Sequence, residues 1–477
     1  MYKYIFLLLC MIAMAGCYKD EGNYDYQEIN SVEISGIDSS YAVMQGDPLV
    51  IKPVLSFTKD QSGDTSKYSY EWLAIAKYGA GPYGERFQLA NTRNLDIHIY
   101  LEPSKDYYVY YRVIDKATGV TFKYRFMLTV SIMTSKGMLI LSEVNGKARL
   151  DMLSEYPKKY TMYTDVLTML GSQVPRDGAP IEMGVVSTGY YLTTTAGTHK
   201  INTSNFGWQP ANSIAYEFQT NMPDNMVAER LISYSGGALC LSDGNLYVYY
   251  QVSSIRYNVP VNYIGSEGKY FKVSKHISVG SSIMPTILYD ETNHRFIRYQ
   301  APNAESNYMP DGGTLFNYQD PTKDLLYMTW NNYNNGMTFA LLKDRATQQV
   351  MLARMNVTNT LLLQNSYGQV VAPDIEKATQ FAVDPVNGYL FYSVGGRLYE
   401  YDQSLKTTKV MLDRPGEVIS LLRSTSDGLV VCYYKQAGPA ETGGTWEKYT
   451  VPPINGDLQL KESYGGFGRI VSYANKS

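Results

Sequence analysis

Turn signals recur at a nearly constant spacing along residues 135–477, and this repeat restricts the possible folds more than any other feature of the sequence. The seven candidate hairpin turns are Asn145-Gly146, Ala196-Gly197, Asp243-Gly244, Asn293-His294, Ala346-Thr347, Gly395-Gly396 and Asp427-Gly428. Successive turns are 51, 47, 50, 53, 49 and 32 residues apart, close to the length of one β-propeller blade. Because helical periodicity is almost absent, the spacing predicts a β-propeller over residues 135–477, with seven blades of roughly 47 residues.

A second, stricter repeat supports the same fold. The pattern Asp-x-x-Asn-x-x-apolar begins at Asp290 and again at Asp384, 94 residues later, which equals two repeats of 47 residues. Asp and Asn side chains stabilise tight turns through hydrogen bonds and tolerate positive φ angles. A pair of mixed β-sandwiches is the structural alternative.

The composition indicates a globular protein that is rich in tyrosine. Hydrophobic residues make up 44% of the chain and charged residues 18%, which excludes a mainly disordered protein. There are 45 Tyr, against 14 Phe and 4 Trp, and tyrosine favours strands and wet contact surfaces. The net charge of −3 provides no excess of basic residues to neutralise phosphates, so we expect no nucleic-acid partner.

Residues 31–134 contain short strand-like segments separated by turn residues, a pattern typical of a β-sandwich. These segments are 31–34, 49–57, 68–75, 95–101, 107–114 and 120–132. Trp72 is placed like the core tryptophan on the third strand of Ig-like sandwiches. We therefore expect an all-β chain in which an Ig-like sandwich precedes the propeller.

The N-terminus has the features of a secretory signal peptide over residues 1–16. Lys3 provides a positive charge, and residues 5–14 form an apolar stretch that is too short to span a membrane. The stretch ends in Met-Ala-Gly-Cys17, which resembles the lipobox of bacterial lipoproteins. The resemblance implies cleavage before Cys17, acylation of Cys17 and stable anchoring in a lipid membrane. An ordinary cleaved signal with an incidental cysteine is the alternative.

Residues 17–30 form a short tether behind the predicted cleavage site. Lys19, Asp20 and Glu21 follow the cysteine, and this order resembles the export signal that sends Bacteroidota lipoproteins to the cell surface. The resemblance implies a lipid-anchored protein of the outer membrane that faces the cell exterior.

Residues 107–115 resemble the penultimate strand of polycystic-kidney-disease-type (PKD) domains, with its pattern Tyr-x-Val-x-x-x-Val-x-Asp. The Trp-Asp-Phe-Gly-Asp-Gly run of that family is absent, since Trp72 is followed by Leu-Ala-Ile, so the resemblance is to the divergent PKD-like group. Together with the lipobox, it resembles the PKD-like lipoproteins found alongside SusC/SusD-type outer-membrane nutrient importers. This resemblance implies that such an importer is a partner.

Motifs for catalysis and for metal binding are missing from the sequence. The four His are scattered without metal-ligand spacing, and there is no Gly-x-Ser-x-Gly elbow or phosphate-binding loop. We therefore expect no catalytic residue, no metal and no cofactor. Cys240 and Cys432 lie in apolar strand-like segments, and we expect free thiols there, with a disulfide as the alternative.

Aromatic residues in the long loops of the propeller region are the best candidates for ligand binding. Flat rings favour sugar faces and peptide side chains, and neighbouring amides supply paired donors and acceptors. The candidate residues are Trp208, Tyr308, Trp330, Tyr333 and Trp446. The alternative for each ring is burial in a loop or at the end of a blade.

Two functions of different classes follow from the sequence. The first is a non-catalytic surface lipoprotein that helps a SusC/SusD-type importer by binding oligosaccharide or oligopeptide, or by docking on the importer. The second is a surface propeller enzyme, a glycosidase or lyase, that acts on polymers. The absence of a catalytic motif and the family resemblance favour the first function.

The lipobox generates the first testable prediction. Cys17→Ala should leave a soluble protein without acyl chains, because Cys17 is the nucleophile that the lipobox presents. Metabolic labelling with an alkynyl fatty acid measures the acylation, and equal incorporation in the variant would contradict it. Replacing residues 19–21 with Ala should reduce protease accessibility at the cell surface while acylation continues.

Overall fold

A computed structural model of the chain describes residues 30–77, 84–103, 105–156, 160–234, 236–280, 284–310, 314–358 and 361–476. The predicted signal peptide, together with Cys17, Lys19, Asp20 and Glu21, lies outside the described residues. The chain divides into two compact units, Met1–Ser131 and Ile132–Ser477.

Unit 1 is built from nine described strands in three small sheets. The strands are β1 (Val32–Ser35), β2 (Ser40–Met44), β3 (Pro48–Ile51), β4 (Val54–Phe57), β5 (Tyr68–Ala76), β6 (Arg86–Ala90), β7 (Leu95–His98), β8 (Lys105–Asp115) and β9 (Thr121–Ser131). The main sheet has the order β2-β9-β8-β5-β6, while β1 pairs with β4 and β3 pairs with β7. The β2–β9 pair is parallel.

The core of unit 1 lies between the main sheet and the two strand pairs. Trp72 on β5 is fully buried, and its indole N–H donates to the Thr92 carbonyl at 2.8 Å. The Trp72 and Tyr111 rings are 4.2 Å apart. Leu49 and Leu95, from the smaller sheet, belong to the same buried cluster. The sandwich core around Trp72 is therefore confirmed.

Two details of unit 1 differ from the sequence-based expectation. Residues 49–57 form two strands rather than one, because Pro53 lacks the N–H needed to continue a ladder, and the chain changes partner there from β7 to β1. The sequence analysis also missed β2 and β6. The parallel pairing of β2 joins segments far apart in sequence, so no local pattern indicates it.

Unit 2 is a β-propeller in which the described residues form seven sheets of up to four strands, numbered here in chain order. From the innermost strand outwards, sheet 1 is β36 (Arg469–Lys476), β10 (Gly137–Val144), β11 (Lys147–Ser154) and β12 (Thr161–Tyr163); sheet 2 is β13 (Pro180–Val186), β14 (Gly189–Thr194) and β15 (Gly197–Ile201); sheet 3 is β16 (Arg230–Tyr234), β17 (Gly237–Ser242) and β18 (Asn245–Tyr250).

The remaining sheets are given in the same order, except that in sheet 4 a segment bridged to β21 at Val273 and Ser278 lies on the inner side of β21. Sheet 4 is β21 (Thr286–Asp290), β22 (Arg295–Tyr299) and β23 (Asn307–Tyr308); sheet 5 is β24 (Lys323–Asn331), β25 (Met337–Asp344), β26 (Val350–Val357) and β27 (Leu362–Gln369); sheet 6 is β28 (Gln380–Val383), β29 (Leu390–Val394), β30 (Arg397–Asp402) and β31 (Thr407–Asp413); sheet 7 is β32 (Glu417–Thr425), β33 (Gly428–Lys435), β34 (Gly444–Thr450) and β35 (Gln459–Phe467). A further hairpin joins β19 (Tyr263–Ile264) to β20 (Lys269–Tyr270).

Helical structure within the described residues is limited to short segments. These are one α-helix, α1 (Val166–Met169), and the 3-10 helices Thr65–Lys67, Pro210–Asn212, Ile214–Glu217, Gln251–Ser253, Tyr333–Asn335 and Ile375–Lys377. No described helix is long and apolar enough to cross a membrane.

The seven predicted turns each fall in a different sheet, and their positions explain the irregular last spacing. The first six connect the second and third strands of sheets 1 to 6, when the segment bridged to β21 is counted as the innermost strand of sheet 4. The seventh, Asp427-Gly428, instead connects the first and second strands of sheet 7, and residues 436–443 form the turn equivalent to the others. The short interval of 32 residues is therefore measured between two turns that are not equivalent, and the structural repeat continues through sheet 7.

The ring is closed by the last strand of the chain. Strand β36 pairs antiparallel with β10, from Gly137 opposite Lys476 to Glu143 opposite Arg469. A buried cluster joins sheets 1 and 7 at this point, with Ile140 from sheet 1, Val430 from sheet 7 and Ile470 from the closing strand. Residues 469–473 thus pair within the sheet that contains Met138.

Ring closure generates the second prediction. Ile470→Ala should lower the free energy of unfolding of unit 2 by about 2–5 kcal/mol, because Ile470 is fully buried in the joint between two sheets. Val471→Ala on the same strand should cost less, since Val471 is only half-buried. Denaturant unfolding measures both values.

Removal of the whole strand provides a second test of closure. Deleting residues 469–477 should lower the melting temperature of unit 2 in one cooperative step, because the deletion exposes the edge of β10. A deletion protein that melts like the parent would show that closure does not stabilise the propeller.

Candidate ligand-binding channel

The innermost strands of the propeller surround a cavity of about 770 Å³, here called the central channel. Its walls include residues of β36, β13, β16, β24, β28 and β32. In sheet 4 the wall is formed by Lys275 and His276, which lie between two isolated bridges that tie this segment to β21. A cavity of this size is within the range of small-ligand sites.

Trp330 lines the channel and is held in one position by its neighbours. Its indole N–H donates to the Val357 carbonyl at 3.0 Å. A Cβ at Gly280 would lie 3.0 Å from the indole Cε2, and a Cβ at Gly336 would lie 3.3 Å from Cζ2. These two glycines leave room for the ring, so Trp330 offers a fixed aromatic surface to the channel.

Further rings and amides line the same wall. The His276 and Tyr327 rings are 5.5 Å apart in an edge-to-face arrangement, and the Tyr327 and Phe381 rings are 5.8 Å apart. Side-chain amides come from Asn331, Asn332 and Gln380. The Asn331 amide donates to the Val383 carbonyl at 3.2 Å. Aromatic faces beside amides can bind sugars or peptides.

Charged side chains are concentrated among the lining residues, and several form ion pairs. Arg230 Nε lies 3.3 Å from Glu182 Oε1, and the other oxygen of Glu182 accepts the Leu231 N–H at 2.9 Å. Arg469 lies 3.5 Å from Glu143. The third acid, Glu229, accepts a backbone N–H from Asp243 at 3.2 Å. Each carboxylate is therefore already bonded to the protein.

His276 is neutral at physiological pH. Its removal from water lowers its pKa to about 4, and the positive charges of Lys275 and Arg230 contribute in the same direction. The pKa of His276 in the folded protein is below that of an unfolded histidine, which is about 6.5. Neutral His276 therefore contributes its full share to the free energy of unfolding above pH 6.5, and this contribution is lost as the pH falls towards 4.

The structure brings only one of the five predicted aromatic residues to the channel. Tyr333 lies in the turn after β24, packed against Gly388 and 5.9 Å from the Phe339 ring, and it does not line the channel. Trp208 is half-buried beside His199, with their rings 5.4 Å apart. Tyr308 on β23 donates to Glu267 and lies beside the Arg295 guanidinium.

Trp446 corrects one expectation. It lies on β34 rather than in a loop, and its exposed fraction is only 4% because sheet 7 and β36 cover it. A ring with this burial has no face for a ligand, and it belongs to the joint that closes the ring.

Sequence reasoning missed most of the channel, including Arg230, Lys275, His276, Tyr327 and Arg423. These residues lie on innermost segments rather than in long loops. A usable signal was present for sheets 2 to 6, since their innermost segments come one hairpin before the second-to-third-strand turns that the sequence reveals. Polar residues at that offset would have indicated the channel wall.

Cys240 and Cys432 are both buried and free, as expected, and burial raises the pKa of each thiol. Within the described residues, no group of three or more His, Cys, Asp or Glu side chains is placed to hold a metal ion.

The family comparison finds a match over the first third of the chain. The model of the PKD-like family matches residues 17–175, so this segment is similar to that family. The match covers all described strands of unit 1 and also β10, β11, β12 and α1 of the propeller. No curated protein sequence matches the chain.

Several solved structures resemble the chain at low identity. A quinonprotein alcohol dehydrogenase-like protein from Bacteroides thetaiotaomicron is 12% identical, with a TM-score of 0.41 and coverage of 94% of this chain and 98% of that one. The Cps50 (Swd1) β-propeller domain of Myceliophteria thermophila is 9% identical, with a TM-score of 0.43 and coverage of 66% and 98%. A DUF4784 family protein from Bacteroides caccae is 9% identical, with a TM-score of 0.32 and coverage of 94% and 98%. These values carry no information about function.

The pKa of His276 provides the third prediction. Lys275→Gln should raise this pKa from about 4 towards the value of an exposed histidine, because one of the nearby positive charges is removed. NMR titration of the histidine ring protons measures the pKa, and the chain has only four histidines to assign. Lys461→Gln on the outermost strand of sheet 7 is the control, and an equal shift there would contradict the prediction.

Proposed function

We propose that this protein is a lipid-anchored accessory protein of a SusC/SusD-type nutrient importer, exposed at the cell surface. It binds oligosaccharide or oligopeptide in the central channel and performs no catalysis. Unit 1 acts as a spacer or docking module between the lipid anchor and the propeller. The match to the PKD-like family supports the proposal, since it begins at residue 17, where the mature chain would begin.

The fixed position of Trp330 in the channel carries the binding proposal. A buried ring that only stabilised a sheet would be covered on both sides, whereas Trp330 is half-buried and lines a cavity of about 770 Å³. The adjacent amides of Asn332 and Gln380 line the same space. Because the hydrogen bond to Val357 and the close approach of Gly280 and Gly336 hold the ring in place, little conformational freedom is lost when a ligand stacks on it.

A propeller glycosidase or lyase is the second candidate, and one observation favours it. Three carboxylates, Glu143, Glu182 and Glu229, line the channel, and glycoside hydrolysis commonly uses a pair of acids. Each of them is bonded to an arginine or to a backbone N–H, which suits a structural role better than proton transfer. A screen against oligosaccharides and oligopeptides distinguishes the two candidates if it measures cleavage of the ligand as well as binding.

The fourth prediction concerns affinity. In a calorimetric screen against oligosaccharides and oligopeptides, Trp330→Ala should weaken binding of any ligand found by about 1–3 kcal/mol, as expected for loss of an aromatic anchor. Tyr333→Ala is the matched comparison, because Tyr333 lies three residues further along the chain but outside the channel wall.

The two variants are expected to differ, since Trp330→Ala should mainly weaken binding and Tyr333→Ala should mainly lower stability. Tyr333→Ala removes contacts in the turn after β24, so it should lower the melting temperature more than it lowers affinity. If Trp330→Ala binds ligand as tightly as the parent while its melting temperature falls, Trp330 is a structural residue. The assignment of the ligand site to the central channel is then wrong. Release of shorter products by the parent would support the enzyme instead.

A further inference from the structure

We propose that the central channel selects ligands that carry a carboxylate, which the Arg423 guanidinium binds near Tyr327 while Lys275, elsewhere on the lining, adds positive charge. This inference rests on the proposed function and specifies its ligand class. It concerns residues that the ligand-binding proposal itself does not use.

The balance of ion pairs leaves positive charge in the channel. Arg230 is paired with Glu182 and Arg469 with Glu143. Within the part of the chain that the structure describes, neither Lys275 nor Arg423 has a carboxylate within ion-pair distance. The lining also contains Glu229, which is bonded only to a backbone N–H, so four cations face three carboxylates and the lining keeps a charge of +1 in a protein whose net charge is −3.

Arg423 is held in place without being neutralised. One guanidinium nitrogen donates to the Tyr473 carbonyl at 3.1 Å, and the guanidinium carbon lies 4.6 Å from the centre of the Tyr473 ring. An arginine has five N–H donors, so most of them remain available after this one bond. A guanidinium fork suits the two oxygens of a carboxylate better than any neutral group.

The other polar groups of this wall fit the same ligand. Arg423 and Arg230 lie close enough to Tyr327 that their charges act on its hydroxyl, while burial has the larger effect and raises its pKa. The hydroxyl therefore stays protonated and can donate a hydrogen bond. His276, next to Tyr327, is neutral, so the positive charge of this lining comes from the arginines and Lys275.

The size and remaining lining of the channel favour an oligomer over a free inorganic anion. The cavity of about 770 Å³ also contains Trp330 and the Asn332 amide, and a small ion would leave these groups unused. A uronic acid unit of an oligosaccharide and the C-terminus of an oligopeptide both supply the carboxylate. The structure assigns the carboxylate that both ligands share, and the experiment below distinguishes an oligosaccharide from an oligopeptide.

The charge of the channel can be tested without knowing the ligand. Iodide, an anion, and caesium, a cation, both quench the fluorescence of accessible tryptophans. Trp72 and Trp446 are only 0% and 4% exposed, so neither ion reaches them. Because Trp208 is also half-buried, the measurement is made in a Trp208→Phe background and each quenching constant is divided by that of free tryptophan amide. After this correction, iodide should quench more strongly than caesium, and the difference should disappear when Trp330→Phe is added. Lys275→Gln with Arg423→Gln should lower the iodide quenching constant about twofold or more, because the local anion concentration falls. Lys461→Gln is the control.

Matched ligands then test the carboxylate itself. Oligogalacturonate is compared with its methyl ester, and a peptide with a free C-terminus is compared with its amide. The acidic form of one pair should bind about tenfold tighter or more, and Arg423→Gln should remove this preference. The pair that shows the preference identifies the source of the carboxylate.

The outcomes separate this inference from the function on which it rests. Equal binding of acidic and neutral forms overturns the carboxylate assignment and leaves the proposed function standing. Equal quenching by iodide and caesium also overturns the assignment. If no oligomer binds, the proposed function fails and the assignment fails with it.

Discussion

The hydrogen-bonded pairing of β36 with β10 is the constraint on which the rest of the propeller depends. Among the described strands of unit 2, sheets 2 to 7 are each formed by strands that follow one another along the chain, whereas sheet 1 needs a strand from the far end of the sequence. Without it, β10 would have a free edge and the buried cluster between sheets 1 and 7 would lose Ile470 and Tyr473. Because the channel wall consists of innermost strands, its geometry also depends on this closure.

The sequence predicted the propeller because hairpin turns depend on local chemistry. Asn145 and Gly146 adopt φ angles of 51° and 77°, which few residue types tolerate, so such turns are visible as short motifs. The same reasoning found Trp72, whose size and position indicate a core residue. It did not find the parallel partner of β9, since that pairing has no local signature.

The composition of the channel could not be predicted for a different reason. Whether a residue on an innermost strand faces the axis or a neighbouring sheet depends on register, and a shift of one residue reverses it. The sequence therefore indicated aromatic residues of the long loops as ligand contacts. One of these, Trp446, is instead buried at the joint that closes the ring. Trp330 is placed in the channel by glycines at 280 and 336, which are distant in sequence from each other and unremarkable alone.

The distance along the chain between the two closing strands affects how the protein is made. Glu143 on β10 and Arg469 on β36 are 326 residues apart. At ribosomal speeds of 5–20 residues per second, the edge of β10 waits roughly 15–65 s for its partner. Sheets 2 to 7 can form their hairpins during this time, but the nascent propeller stays an open arc. A chaperone that binds the nascent chain therefore meets an unclosed propeller until the last strand emerges.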